Sequence, residues 1–154
     1  MQLLKRLSIA AAVAFAFAGA VYAQGDQSKT DRQAMKAEKD RISATYKADK
    51  AKCKEMKGNQ KDVCEADAKG KENVAKAELE QKYKPSPAHQ RKVDQAKAEH
   101  EYKVAKEKCD DLKGNEKSAC VKDAKAKHDQ AKADIKAKYA KAGSSRTAAG
   151  STSK

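Results

Sequence analysis

The chain has 154 residues, 35 of them basic and 22 acidic, and a net charge of +13. Both phenylalanines lie in the first two dozen positions, and beyond these only nine Leu, Ile or Val residues remain. That is well under the roughly 20% of bulky side chains on which a conventional globular core draws. A large enzyme built around an enclosed pocket is thereby all but excluded.

Lys5 and Arg6 precede an apolar run from Leu7 to Val21, which closes on Val21-Tyr22-Ala23. A charged start, an apolar centre and small residues at the cleavage positions form a secretory signal peptide over residues 1–23. The run is about 15 residues, short of the ~20 that span a bilayer. Cleavage after Ala23 shortens the chain from 154 to 131 residues and lowers the charge from +13 to +11. No cysteine follows the cleavage point, so nothing points to a lipid anchor. The expected compartment is the bacterial periplasm, with release from the cell as the alternative.

The exported part is one unit written twice. A shift of 56 residues lays Cys53-Lys-Glu-Met-Lys-Gly-Asn-Gln-Lys-Asp-Val-Cys64 on Cys109-Asp-Asp-Leu-Lys-Gly-Asn-Glu-Lys-Ser-Ala-Cys120. Tyr46 falls on Tyr102, Leu79 on Ile135 and Tyr83 on Tyr139, so every Cys and every Tyr beyond the signal belongs to the repeat.

The first unit, residues 24–84, opens with Thr30 and Gln33 in the spacing of a capping box, and its middle carries Gly58 as a helix-ending glycine and Asn59 as the next N-cap. A linker at 85–87 follows, where Lys84-Pro85-Ser86-Pro87 cannot continue a helix. The second unit, 88–142, has Ser86 as N-cap with Pro87 at the first helical position, breaks at Gly114-Asn115 and runs to Gly143. Four helices are predicted, over about 30–57, 60–83, 87–113 and 116–141, followed by a disordered tail at 143–154, rich in Ser, Thr, Ala and Gly. The fold class is all-α: two tandem antiparallel helical hairpins, packed as a four-helix bundle or lying end to end.

Ile42, Tyr46, Asp49, Cys53 and Met56 step by 4 and 3, as do Ala98, Tyr102, Ala105, Cys109 and Leu112. This is the rhythm of a coiled-coil seam. The facing stripes are Cys64, Ala68, Ala75 and Leu79, and Cys120, Ala124, Ala131 and Ile135. Such small residues allow close approach but bury little area. Acids four residues before lysines, as in Glu72 and Lys76, Glu78 and Lys82, Asp123 and Lys127, Asp134 and Lys138, each add about 0.2–0.5 kcal/mol to an isolated helix.

Cys53 and Cys64 lie equally far from the turn at Gly58-Asn59, so they stand at one height on facing helices. Helix axes ~8–10 Å apart bring their Cα atoms within a disulfide's reach. The same holds for Cys109 and Cys120 about Gly114-Asn115, and an exported chain meets oxidising conditions. Disulfides Cys53–Cys64 and Cys109–Cys120 are therefore expected. Four thiolates converging on zinc or copper is the alternative, in which the protein handles metal through Cys and His. It lacks the Cys-x-x-Cys or Cys/His clustering of a typical site.

No catalytic constellation is found, no cofactor motif occurs and the chain reads as a non-enzyme without a small-molecule substrate. His100-Glu101-Tyr102-Lys103-Val104 lacks the second histidine of a zincin helix, and His89, His100 and His128 read as solvated surface groups. Gly70-Lys71 is a lone glycine in a helix rather than a phosphate cradle. The four tyrosines suit rings packed in the seam with hydroxyls at its edge. The positive balance would bind polyanions by counterion release. Outside the cytoplasm these are lipopolysaccharide, other acidic envelope polymers or anionic membrane surfaces. DNA, although such Lys/Ala runs resemble linker-histone tails, is a poor candidate for an exported chain.

The repeat, with Tyr46, Cys53, Gly58-Asn59, Asp62 and Cys64 and the matching Tyr102, Cys109, Gly114-Asn115 and Cys120, resembles that of exported bacterial Lys/Ala-rich helical proteins with a Cys-x10-Cys hairpin. The resemblance covers residues 34 to 141. Some of these are described as cell-envelope biogenesis proteins similar to TolA, whose central domain is a long Lys/Ala/Glu-rich helix; hydrophilic stress-protective helical proteins share the composition. The resemblance implies an envelope-associated spacer, interaction or protective role and carries over no functional residue.

Overall fold

The computed structural model describes residues 24–148, with side-chain surroundings over 28–140. The signal-peptide reading and the last six residues of the tail lie outside the described residues. Four helices follow in order: α1 Gln24–Cys53, α2 Gly58–Tyr83, α3 Pro87–Lys108 and α4 Gly114–Ala148, with a single 3₁₀ turn at Cys109–Asp111. Ala, Lys, Glu and Gln fill them, the residues that lose least rotamer freedom in a helix.

Boundaries differ from expectation where local signals are weak. Helix α1 already includes Gln24, placing Thr30 inside it, because Gly25 alone, with no proline in 24–29, costs about 1 kcal/mol and does not stop a helix. Helix α4 runs to Ala148, past the expected tail boundary at 143, since one glycine without a following proline slows a helix by about 1 kcal/mol but does not stop it. The start of α3 is as expected: Pro87 is its first residue, and Ser86 Oγ accepts the His89 N–H at 3.0 Å as the cap.

At both hairpin turns the helix stops early: α1 ends at Cys53, four residues before its expected end, and α3 at Lys108, five before, with Cys109 opening a 3₁₀ turn. Glu55 N–H then donates to Lys52 O and Met56 N–H to Cys53 O, and Leu112 N–H donates to Cys109 O, each at 3.1 Å. These tight i to i+3 bonds reverse the chain quickly. Gly58 and Gly114 take φ of 56° and 54°, the left-handed geometry expected of them. Each also begins the next helix, so Asn59 and Asn115 fall inside its first turn instead of capping it. The side-chain amide of Asn59 is buried and has no hydrogen-bond partner among the described residues.

Each helix packs antiparallel on the next, and the α2–α3 contact is the most extensive. Across it Glu80 meets Lys92, Glu78 meets Lys97 and Asp67 meets His100, so separations widen steadily from the proline turn. The hairpins therefore lie side by side in a bundle, both stapled turns at one end and the proline turn at the other.

The core is thin and made largely of small groups. Cys53, Ala68, Leu79, Val93, Ala98, Cys109 and Ala124 are buried, and only the two cysteines are wholly inaccessible. Most of the predicted seam holds, but Met56 and Leu112 are 42% and 37% exposed because the helices have ended before them. Val93 is 3% exposed yet belongs to no predicted stripe. It stands beside Lys92 and one turn before Lys97, both of which reach acids of α2, and a periodicity drawn within one hairpin does not reveal it.

Candidate functional site

The cysteines pair as expected. Cys53 and Cys64 have Cα atoms 5.5 Å apart, and Cys109 and Cys120 5.7 Å apart, both as disulfides. All four sulfurs are thereby committed, so no set of thiolates is presented to a metal. Each bridge joins the last residue of a helix, or the one just past it, to the second turn of the next.

The open end of each hairpin carries a second clasp, a polar one. Glu38 on α1 accepts from Lys82 Nζ at 2.5 Å and from Tyr83 Oη at 2.9 Å. Asp94 on α3 accepts from Lys138 Nζ at 2.8 Å and Tyr139 Oη at 2.7 Å. The two sets are equivalent under the 56-residue shift. Each lysine also lies over its neighbouring tyrosine ring, at 5.3 and 5.2 Å. Hydrogen bonds from Lys82 and Tyr83 hold the Glu38 carboxyl below its ordinary value. Burial works against ionisation of Asp94, but bonds from Lys138, Tyr139 and Gln90 outweigh it and hold that carboxyl low as well. Within-helix pairs were expected here, Glu78 with Lys82 and Asp134 with Lys138. Instead both lysines cross to the neighbouring helix, Glu78 pairs with Lys97 and Asp134 accepts from Gln130. The pairs of Glu72 with Lys76 and Asp123 with Lys127 form as expected.

Two of the histidines, His100 and His128, are packed rather than solvated. His100 lies against Gly70 of α2, where a Cβ would come within 2.0 Å of its imidazole Cδ2, and its Nε2 is 2.9 Å from Asp67 Oδ1. His128 stacks on Tyr102 with centroids 4.5 Å apart and an interplanar angle of 8°, and its Nε2 is 3.2 Å from Glu99. The Nδ1 of His89 meets Lys84 O at the proline turn. Gly70, read as an incidental helix glycine, is what admits His100. Nothing in the spacing along one helix signals this fit.

Equivalent shallow grooves lie beside Tyr46 and Tyr102, of about 250 and 120 Å³. Their charges are largely spoken for: Lys71 pairs with Asp67, and the buried Glu72 accepts from Lys69 and Lys76. A third cleft, about 460 Å³, opens between α3 and α4 near Tyr139 and is lined by Arg91, Gln95, Lys132, Ile135 and Lys136 among others. No carboxylate lines it. Among the described residues none of its three cations has an ion-pair partner.

Fold and site together define a small all-α protein of tandem stapled hairpins with a paired, charged exterior. No family model, curated protein or solved structure matches the chain.

Proposed function

We propose that this is an exported, non-enzymatic helical protein of the bacterial periplasm that acts through its surface, as an envelope-associated spacer, interaction module or stress-protective factor. The observation that carries the reading is the pair of cross-hairpin disulfides in a chain with so thin a core. Disulfides of this structural kind persist in oxidising compartments. No described helix is long and apolar enough to cross a membrane. Fractionation of the source cell with free-thiol counting tests it: four blocked sulfurs in a shock-released fraction are expected, and reduced protein retained in the cytoplasm contradicts it.

The unpaired cations of the α3–α4 cleft favour a second reading, a cationic module that binds acidic envelope polymers or anionic membrane surfaces. Retention on heparin or lipopolysaccharide near physiological ionic strength, with a steep fall as salt rises, is expected. Absence of retention removes this reading and leaves the first intact.

A further inference from the structure

We propose that the cleft between α3 and α4 is a site for a phosphoryl-bearing ligand with two or more negative charges, held by Arg91, Lys132 and Lys136. The proposal deepens the polyanion reading and rests on it. Lys132 and Lys136 stand one helical turn apart on α4, and Arg91 and Gln95 one turn apart on α3. Like charges at that spacing repel on an isolated helix. Several other cations are neutralised by a neighbouring acid, as in Lys76 with Glu72, Lys97 with Glu78 and Lys127 with Asp123. Here they are not: Asp129 feels Lys132 at longer range but pairs with Lys125, and Asp94 is taken by Lys138 and Tyr139.

The repeat supplies an internal control. Under the 56-residue shift Arg91 falls on Met35, Gln95 on Lys39, Lys132 on Lys76, Lys136 on Glu80 and Ala140 on Lys84. Lys76 is bound to Glu72, and Glu80 lies 3.5 Å from Lys92. The first hairpin thus keeps cations at the equivalent positions but sets Glu80 among them and ties Lys76 to Glu72, whereas Arg91, Lys132 and Lys136 share a cleft with no acid among its lining residues. A singly charged carboxylate would leave much of their charge uncompensated. A phosphoryl group offers several acceptor oxygens, suited to the guanidinium fork and to two ammonium groups, with the Gln95 amide as a further donor. Ile135 and Ala133 give the cleft an apolar wall for the ligand's remaining atoms.

Two sources share this chemistry, an anionic lipid headgroup and a free polyphosphorylated solute. The test uses the exported, disulfide-bonded chain with inorganic pyrophosphate, and with phosphatidylcholine vesicles with and without phosphatidic acid. Backbone amide shifts on pyrophosphate addition are expected to cluster about Arg91, Lys132 and Lys136. The R91Q/K132Q/K136Q variant should lose about tenfold or more in affinity, since hydrogen bonds to charged groups are the strong ones. A control with the same charge loss, K36Q/K39Q/K47Q on α1, should change it by less than about twofold, the effect of diffuse charge alone. Cleft-dependent sedimentation with phosphatidic acid vesicles assigns the site to a lipid headgroup, and its absence alongside pyrophosphate binding assigns it to a soluble ligand. Equal losses in both variants, or no shifts in the cleft, overturn the site. Heparin retention run in parallel separates the two failures: if it survives while the cleft is silent, the site is wrong and the general reading stands.

Discussion

His100 on α3 occupies the space over α2 that any side chain at residue 70 would claim, and Asp67, one turn earlier, takes its Nε2. This is a lock between hairpins, absent from the repeat itself: the residue equivalent to Gly70 is Ala126, and the one equivalent to His100 is Ala44.

The lock predicts a specific coupling. In a helix interior Gly→Ala ordinarily gains up to about 1 kcal/mol. Gly70→Ala should gain nothing or destabilise, because the new Cβ displaces the imidazole from Asp67. On a His100→Ala background the same change should recover its ordinary gain. Thermal melts of the four proteins of this cycle measure the difference, and an equal effect of Gly70→Ala in both backgrounds contradicts the lock.

A second expectation concerns acid. The carboxyls of Glu38 and Asp94 are held low by the clasps at the open ends, so they take up protons more readily unfolded than folded. The stability they add is present above the ordinary carboxylate pKa of about 4 and is lost as pH falls through the lower folded values. Tm measured against pH should therefore fall below about pH 4 in the parent. The E38Q/D94N variant should show a shallower acid limb, the remainder coming from other carboxyls held low, such as Glu72 between Lys69 and Lys76. Parallel acid limbs would count against the clasps.

A third concerns the ends of the seam. Leu79 is 5% exposed, and Leu79→Ala should cost about 2–5 kcal/mol. Met56 and Leu112 lie beyond their helices, and M56S and L112S should each cost about 1 kcal/mol or less. Denaturant midpoints give the comparison; similar losses at all three sites would put the turn residues back in the core.

These contrasts mark how far the sequence is legible. The duplication, the disulfide pairs and the helical hairpins follow from spacing, because a staple at equal distance from a turn and a 3.6-residue period are properties of short segments. Glu38, Asp94, Val93 and the fit of His100 to Gly70 depend on which helices become neighbours and on their rotation about their own axes. Composition did not fix either. One trace was available: the shift that aligns the tyrosines also lays Glu38 on Asp94 and Lys82 on Lys138. The asparagines failed as caps for a local reason, since each left-handed glycine enters the helix one residue before them.

The central claim is that two covalent bridges supply what so small a core cannot. In the chain-entropy account a loop of about a dozen residues contributes somewhat under 3 kcal/mol, so the pair is comparable to a small domain's whole stability. The direct measurement is a helicity melt of the disulfide-bonded chain before and after reduction and thiol capping. Loss of more than about 10 °C in Tm, with broadening of the transition, is the result this account predicts. Superimposable melts, with mass analysis showing that both bridges were opened, would contradict it.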